Sequence, residues 1–297
     1  MSVASAARDH LRLTRPYAWL WFDLLPASVL LLLLDTPLPA KTVGVWLLAI
    51  VLADAGGSTL NDVCDVETDR ASLEASRRNR PVAAGRVSVR AASFQAAALL
   101  VAAPLLLSTV SRGSALAVTA AIAVGLAYNV PPLRLAGRPR MSILVWPLVG
   151  GLAYASAALL TGRVATTAAL GYLVSVGIFL VGGEILAKDL RDHRNDQASG
   201  RRTAVGRLGV RRAAGVAAVG GSCGALGLLT LVWTLPGMAV PGQVAASVSL
   251  LAWAALALPA AHRLRSDPQQ WDARRLHRTF IAAYLAFNAS LLAGSLL

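Results

Sequence analysis

Apolar positions along the chain run in long blocks instead of the alternation of a strand or the one-sided stripe of a soluble helix. The blocks fall near residues 17–34, 42–62, 89–110, 113–130, 141–160, 166–187, 213–234, 243–261 and 279–297, each close to the ~20 residues an α-helix needs to cross a bilayer. Between them stand helix-stopping segments such as Asp35-Thr-Pro-Leu-Pro39, Pro131-Pro132 and Leu235-Pro-Gly237, in which proline and glycine break the periodicity. The prediction is an all-α polytopic membrane protein with nine transmembrane helices forming one domain over residues 1–297. The first block starts near Tyr17, too far from a short basic start for a cleaved leader, and is read as the first membrane helix.

Composition agrees. Of 297 residues, 56% are hydrophobic and 14% charged, and the mean hydropathy is +0.60, whereas a soluble domain is about a quarter charged. A soluble enzyme is thereby excluded. The formal charge of +13 would suggest nucleic acid in a soluble protein, but its distribution points elsewhere. If the N-terminus is cytoplasmic, 25 of the 28 Lys and Arg residues lie in cytoplasmic segments, and only Lys41, Arg112 and Arg163 lie opposite. That asymmetry is the topological signature of inner-face loops, so the partner is the lipid bilayer and not nucleic acid. Arginine and alanine richness beside only two lysines, Lys41 and Lys188, fits a GC-rich bacterial source. Cys64 and Cys223 lie in dissimilar surroundings and predict neither a disulfide nor a thiolate metal site.

The acid is concentrated in two of the cytoplasmic segments. Asn61-Asp62-Val-Cys-Asp65-Val-Glu67-Thr-Asp69 follows the second predicted helix, and Lys188-Asp189-Leu-Arg-Asp192-His-Arg-Asn195-Asp196 follows the sixth. Both contain D-x-x-D-x-x-x-D. At about 100° per residue the three carboxylates share one helical face. With four helices between them, the two stripes enter the same interface in the same direction, as in a parallel pseudo-repeat. Aspartates brought together would repel unless cations lay between them. Oxygen donors without His or Cys favour a hard divalent ion, and Mg²⁺ completes its shell with substrate phosphate. Arg78, Arg80 and Arg86 near the first stripe, and Lys188, Arg191, Arg201 and Arg202 near the second, could grip the same phosphate.

These residues resemble those of the UbiA-type intramembrane prenyltransferases. The first stripe is similar to that family's N-D-x-x-D-x-x-x-D, and the second to its D-x-x-x-D through Asp192 and Asp196. Asn79-Arg80-Pro81-Val-Ala-Ala-Gly85 is similar to its N-R-P-x-x-x-G segment, Tyr128-Asn-Val-Pro131-Pro132-Leu-Arg134 to its Y-x-x-P-P-x-R loop, and Arg15-Pro16 to its Arg-Pro before helix one. The resemblance implies a helical bundle around a central lipid-accessible chamber. It also implies a prenyl diphosphate donor held through Mg²⁺ and a hydrophobic acceptor, aromatic or a quinone precursor. Asn61, Asp62, Asp65 and Asp69 would then hold one ion, and Asp192 and Asp196 with Asp189 the other. Diphosphate contacts would fall to Asn61, Arg80, Tyr128, Arg134 and Lys188. A terpene cyclase of the same fold and a transporter are the competing readings.

Two acids lie inside the apolar blocks, where a charge is expensive. Asp54, seven residues before Asn61, falls on the face of the first stripe, and Glu184 precedes Lys188 by four, a spacing suited to an ion pair. Asp54, Glu184 and Lys188 are the catalytic candidates, with Asp23 a weaker one. Tyr17, Trp19, Trp21, Phe22 and Trp46 offer faces to an allylic cation. His193 is expected to face solvent, while His10, His262 and His277 form no ligand set.

Overall fold

The computed structural model describes residues 3–162, 166–198, 200, 203–267 and 270–295, excluding the side chains of residues 139, 140, 142, 270 and 271. Arg163, Arg201 and Arg202 lie outside the described residues. Among those described, every regular element is helical. A short amphipathic helix, α1 (Val3–Leu13), precedes α2 (Pro16–Leu33) and α3 (Ala40–Cys64). Two short helices, α4 (Val66–Arg70) and α5 (Ala75–Arg78), lead to α6 (Val89–Ser108) and α7 (Arg112–Asn129). Then come α8 (Pro139–Thr161), α9 (Thr167–Ala198) and the short α10 (Ala204–Leu208). The chain closes with α11 (Val210–Thr234), α12 (Val240–Ser266) and α13 (Gln270–Gly294).

A helix occupies each of the nine predicted blocks. Seven of them, Pro16–Leu33, Ala40–Cys64, Val89–Ser108, Ile143–Thr161, Thr167–Ala198, Val210–Thr234 and Val240–Ser266, are long and apolar enough to cross a membrane. The other two carry more polar residues: α7 starts on Arg112 and ends on Tyr128 and Asn129, and the first turns of α13 hold Asp272, Arg274, Arg275 and Arg278.

The chain divides into two compact units, one of residues 1–27, 36–136 and 151–163, the other of 28–35, 137–150 and 164–297. Each contains one aspartate stripe. In the first, α3 packs on α6 and α7, and serines start the helices: Ser88 Oγ accepts from the Ala91 N–H at 3.2 Å and Ser111 Oγ from the Ser114 N–H at 3.2 Å, satisfying donors left open at a helix start. Leu13 at the end of α1 is buried with Val82, Val87 and Ala92, anchoring the amphipathic helix to the turn before α6.

In the second unit α11 packs against α9 and α12, and α13 against α9 and α12. Phe179, Trp253 and Phe280 form a cluster with ring centroids 5.0–5.3 Å apart. α9 and α11 approach closely at Gly182 and Gly220, where a Cβ on Gly220 would lie 2.5 Å from the Gly182 backbone. No side chain fits there. Both α2 and α9 contain a wider helical stretch, Trp19–Leu24 and Leu180–Glu184 respectively, with π-type geometry. Such insertions occur mostly at functional sites, and each of these carries an intramembrane acid, Asp23 in one and Glu184 in the other.

Candidate active site

The first stripe is not one uninterrupted helix. α3 ends at Cys64, and Asp65 takes up φ −98° and ψ 8° before α4 begins. The helical hydrogen bonds nevertheless continue across the break, from Asp65 N–H to Asn61 O at 2.9 Å and from Asp69 N–H to Asp65 O at 2.8 Å. The carboxylates therefore stay near one face while their partners differ.

Arg80 joins two of them, its Nη1 donating to Asp62 at 3.1 Å and to Asp69 at 2.8 Å. The turn that presents Arg80 reverses at Gly85, whose φ of +72° suits glycine and few others. Arg15 also donates to Asp62, in a short contact, and to Asn61 Oδ1 at 3.3 Å. Asn61 in turn donates through Nδ2 to Asn129 Oδ1 at 2.9 Å. Asp65 has a separate partner, Arg134 Nη2 at 3.4 Å, and the same nitrogen reaches Cys64 O at 3.3 Å. Arg15 and Arg134 both have positive φ, 49° and 33°, a costly region for a side-chain-bearing residue and one that clusters at functional sites. Tyr128 is half-buried beside Asn129.

Asp62 and Asp69 are only 3% and 1% exposed. Burial pushes the Asp69 carboxyl above its ordinary range; Arg80 opposes that rise, while Asp65 and Asp62 add to it. One of its oxygens, Oδ1, is buried and accepts no hydrogen bond. For Arg15, burial disfavours the charged form, yet Asp62 together with Tyr17 and Asp54 outweighs it and the guanidinium is held above its usual value.

Deeper in the same unit, Asp54 interacts directly with Asp23 and feels the charge of Arg15. Its Oδ2 is buried without a hydrogen-bond partner. Among the aromatic candidates, Trp46 is a packing residue: it is buried and its Nε1 donates to Ser156 Oγ at 2.9 Å. Tyr17 and Trp21 are exposed. Arg86 and Arg78 do not reach the stripe. Arg86 Nε donates to Asp9 at 3.2 Å, and Arg78 to Ser72 O at 2.5 Å, so both tie loop to helix.

In the second unit the stripe lies on the continuous final turns of α9. Asp192, Asn195 and Asp196 are buried and Lys188 and Asp189 half-buried. Arg191 clamps its neighbour Asp192 with two bonds, Nε at 2.6 Å and Nη2 at 2.8 Å. Its Nη1 lies 3.1 Å from His277 Nδ1, and His277 Nε2 lies 2.9 Å from Glu184 Oε1. A guanidinium only donates, so Nδ1 accepts and Nε2–H donates to Glu184. The result is a continuous chain Glu184–His277–Arg191–Asp192. The expected Glu184–Lys188 pair is thus corrected: His277, brought in by α13, takes Glu184, and Lys188 makes no ion pair among the described residues. His193, expected to face solvent, is half-buried, with its Nδ1 buried and without a hydrogen-bond partner.

The residues that reasoning from sequence missed are Arg15, Asn129 and His277. Two of them stood inside quoted segments, Arg15-Pro16 and the loop after Tyr128, as polar residues next to apolar helices. His277 gave no local signal.

No group of three or more His, Cys, Asp or Glu side chains is drawn together as a metal-ion cage among the described residues; arginines separate the carboxylates instead. The donor chemistry still fits Mg²⁺, which takes one or two carboxylates and leaves its other positions to water and phosphate. The bare Asp69 Oδ1 is an oxygen of the required kind.

Comparison with known proteins decides the family. Residues 24–287 match the UbiA prenyltransferase family. The chain belongs to that family. A curated relative, the digeranylgeranylglyceryl phosphate synthase of Methanoculleus marisnigri, is 32% identical over 187 residues, 61% of this chain. The chain spans 62% of that relative's length. The fold of this UbiA-family chain is shared with a UbiA homologue from Archaeoglobus fulgidus bound to GPP and Mg²⁺, at a TM-score of 0.69 and 19% identity, covering 96% of this chain and 99% of that one. It is shared also with the apo UbiA homologue from Aeropyrum pernix K1, at 0.70 and 19%, covering 93% and 96%.

Proposed function

We propose that this protein transfers a prenyl group from a prenyl diphosphate to a hydrophobic acceptor, with Mg²⁺ at its two aspartate segments. The observation that carries this reading is the group of buried Asp62 and Asp69 with half-buried Arg15 and Arg80, in which arginines stand between carboxylates. An arriving diphosphate offers these guanidiniums a more highly charged partner, and each carboxylate they leave is freed for a hard cation. Asn61, Asp62, Asp65 and Asp69 would hold one ion and Asp189, Asp192 and Asp196 the other. Bound there, Mg²⁺ supplies neutralisation of the charge that builds on the leaving diphosphate.

The chain's own residues account for the remaining steps. Arg80, Arg134 and Lys188, with Asn61 and Tyr128, bind diphosphate oxygens and orient the allylic carbon. The allylic C–O bond breaks with its electron pair leaving on the diphosphate. A new bond forms between the prenyl carbon and the acceptor, which gives up a proton. Asp54, whose Oδ2 is buried without a hydrogen-bond partner, is the group we assign to receive it. Glu184 acts through His277 and Arg191 on Asp192 and is a positioning residue. The apolar helices exclude water, which would otherwise capture the cation. The basic-residue asymmetry supports a cytoplasmic N-terminus, with the aspartate segments on that side.

The test is Mg²⁺-dependent diphosphate release by the purified full-length protein. Donors of graded length would be offered with aromatic quinone precursors and a prenylated glyceryl phosphate, the latter prompted by the name of the Methanoculleus relative. Release that requires both Mg²⁺ and an acceptor, with a prenylated product by mass spectrometry, is the expected result. Folded protein that releases no diphosphate from any donor would overturn the reading, and acceptor-independent hydrocarbon product would replace it with a cyclase.

A further inference from the structure

In the second unit, a groove of about 990 Å³ opens between the start of α11 and the end of α12. It lies at the same end of that unit as the last turns of α9. Its mouth is basic. Arg211 and Arg212 come from α11, and His262 and Arg265 from α12. None of the three arginines makes an ion pair among the described residues. Arg263, two positions from Arg265, shows the alternative, since it turns inward to the buried Asp272 at 3.0 Å. Beyond the mouth the wall becomes apolar and small, through Gly215, Val216, Val219 and Gly220. Val216 and Val219 are exposed. From Arg211 to Gly220 the groove follows α11 for about 13 Å, taking 1.5 Å per residue.

We propose that this groove is a binding site for an anionic glycerophospholipid of the surrounding bilayer. The guanidiniums would take its phosphate, and the glycine and valine wall would take the upper part of an acyl chain. A largely apolar groove bordered at one end by cationic side chains fits an amphiphile. A free phosphate would fill only the mouth and leave the valines bare, and a nucleic acid would find no basic row beyond it. A second copy of this chain would bring an equally basic mouth to the contact. Basic grooves between membrane helices recognise acidic headgroups by charge and shape together.

The test uses full-length protein in nanodiscs of equimolar phosphatidylglycerol and phosphatidylcholine, with retained lipid counted by native mass spectrometry. One variant removes the charge, R211Q/R212Q/R265Q. The other fills the groove and keeps the charge, Gly215→Leu, at a position where a Cβ meets nothing closer than Arg265 Nε at 3.7 Å. Wild type should retain the anionic lipid over the zwitterionic one by roughly tenfold, falling below about twofold in both variants. Unchanged preference in either variant overturns the proposal. So does a loss in the charge variant alone, which marks attraction to a diffuse basic surface, and so does a second protein copy bound in place of lipid. Unfolding temperatures matching wild type keep the variants interpretable. The outcome does not depend on whether prenyl transfer is confirmed.

Discussion

The two aspartate segments look alike in sequence and are held in opposite ways. In the first, each carboxylate is neutralised by an arginine from elsewhere: Arg15 from the junction of α1 and α2, Arg80 from the turn after α5, Arg134 from the loop after α7. In the second, Asp192 is clamped by the adjacent Arg191, and distance enters one step later, through His277 and Glu184. A segment that bends at Asp65 depends on partners from across the chain to keep its carboxylates oriented. On the unbroken helix, Asp192 takes a sequence neighbour and, through it, a brace.

The strongest test of that comparison replaces one carboxylate in each segment. Asp62→Asn and Asp192→Asn should each lower diphosphate release by about 100- to 1,000-fold, as removal of a group stabilising transition-state charge does. Activity in either within tenfold of wild type would break the equivalence of the two segments. Next in size, His277→Ala removes the brace and strands Glu184. Support groups of this kind are worth roughly 10- to 100-fold in metal affinity or activity. The loss should appear as a raised Mg²⁺ requirement, partly recovered by His277→Gln, which can still bridge the two. Third, Arg15→Ala deprives Asp62 of one of two guanidiniums and should lower unfolding stability by about 2 kcal/mol, less than for a fully orphaned buried charge because Arg80 remains. Denaturant titration of Arg191→Ala beside it sharpens the contrast, since that guanidinium holds Asp192 within its own helix and reaches α13 only through His277; a cost equal to that of Arg15→Ala would show the two segments to be held alike. Smallest, Asp9→Ala should cost about 1 kcal/mol, in keeping with ion pairs near a surface, and leave turnover unchanged; an activity loss there would mean that Arg86 serves the first stripe after all.

The helices were legible because membrane-crossing blocks are set by length and hydropathy, both read directly from residues such as those of 42–62 and 213–234. The aspartates were legible because their spacing is local. The arginine partners were less so: Arg15 lies 47 residues from Asp62, and helical arithmetic has no access to such separations. The Glu184–Lys188 expectation failed for the same reason. An i, i+4 spacing offers a partner of modest worth, and a histidine 93 residues away displaced it. The break at Asp65 left no mark in the pattern, because hydrogen bonding across it keeps the helical sense.

The wide turn at Leu180–Glu184 gives the second segment its aim by phase. One surplus residue in a helix rotates everything beyond it by about 100°, so the bearing of Asp192 and Asp196 is fixed by how many residues precede them as much as by which ones. Deleting a single residue there would keep every carboxylate and every arginine, yet turn the whole set away from where it now points. The chain stores the orientation of this segment as a count.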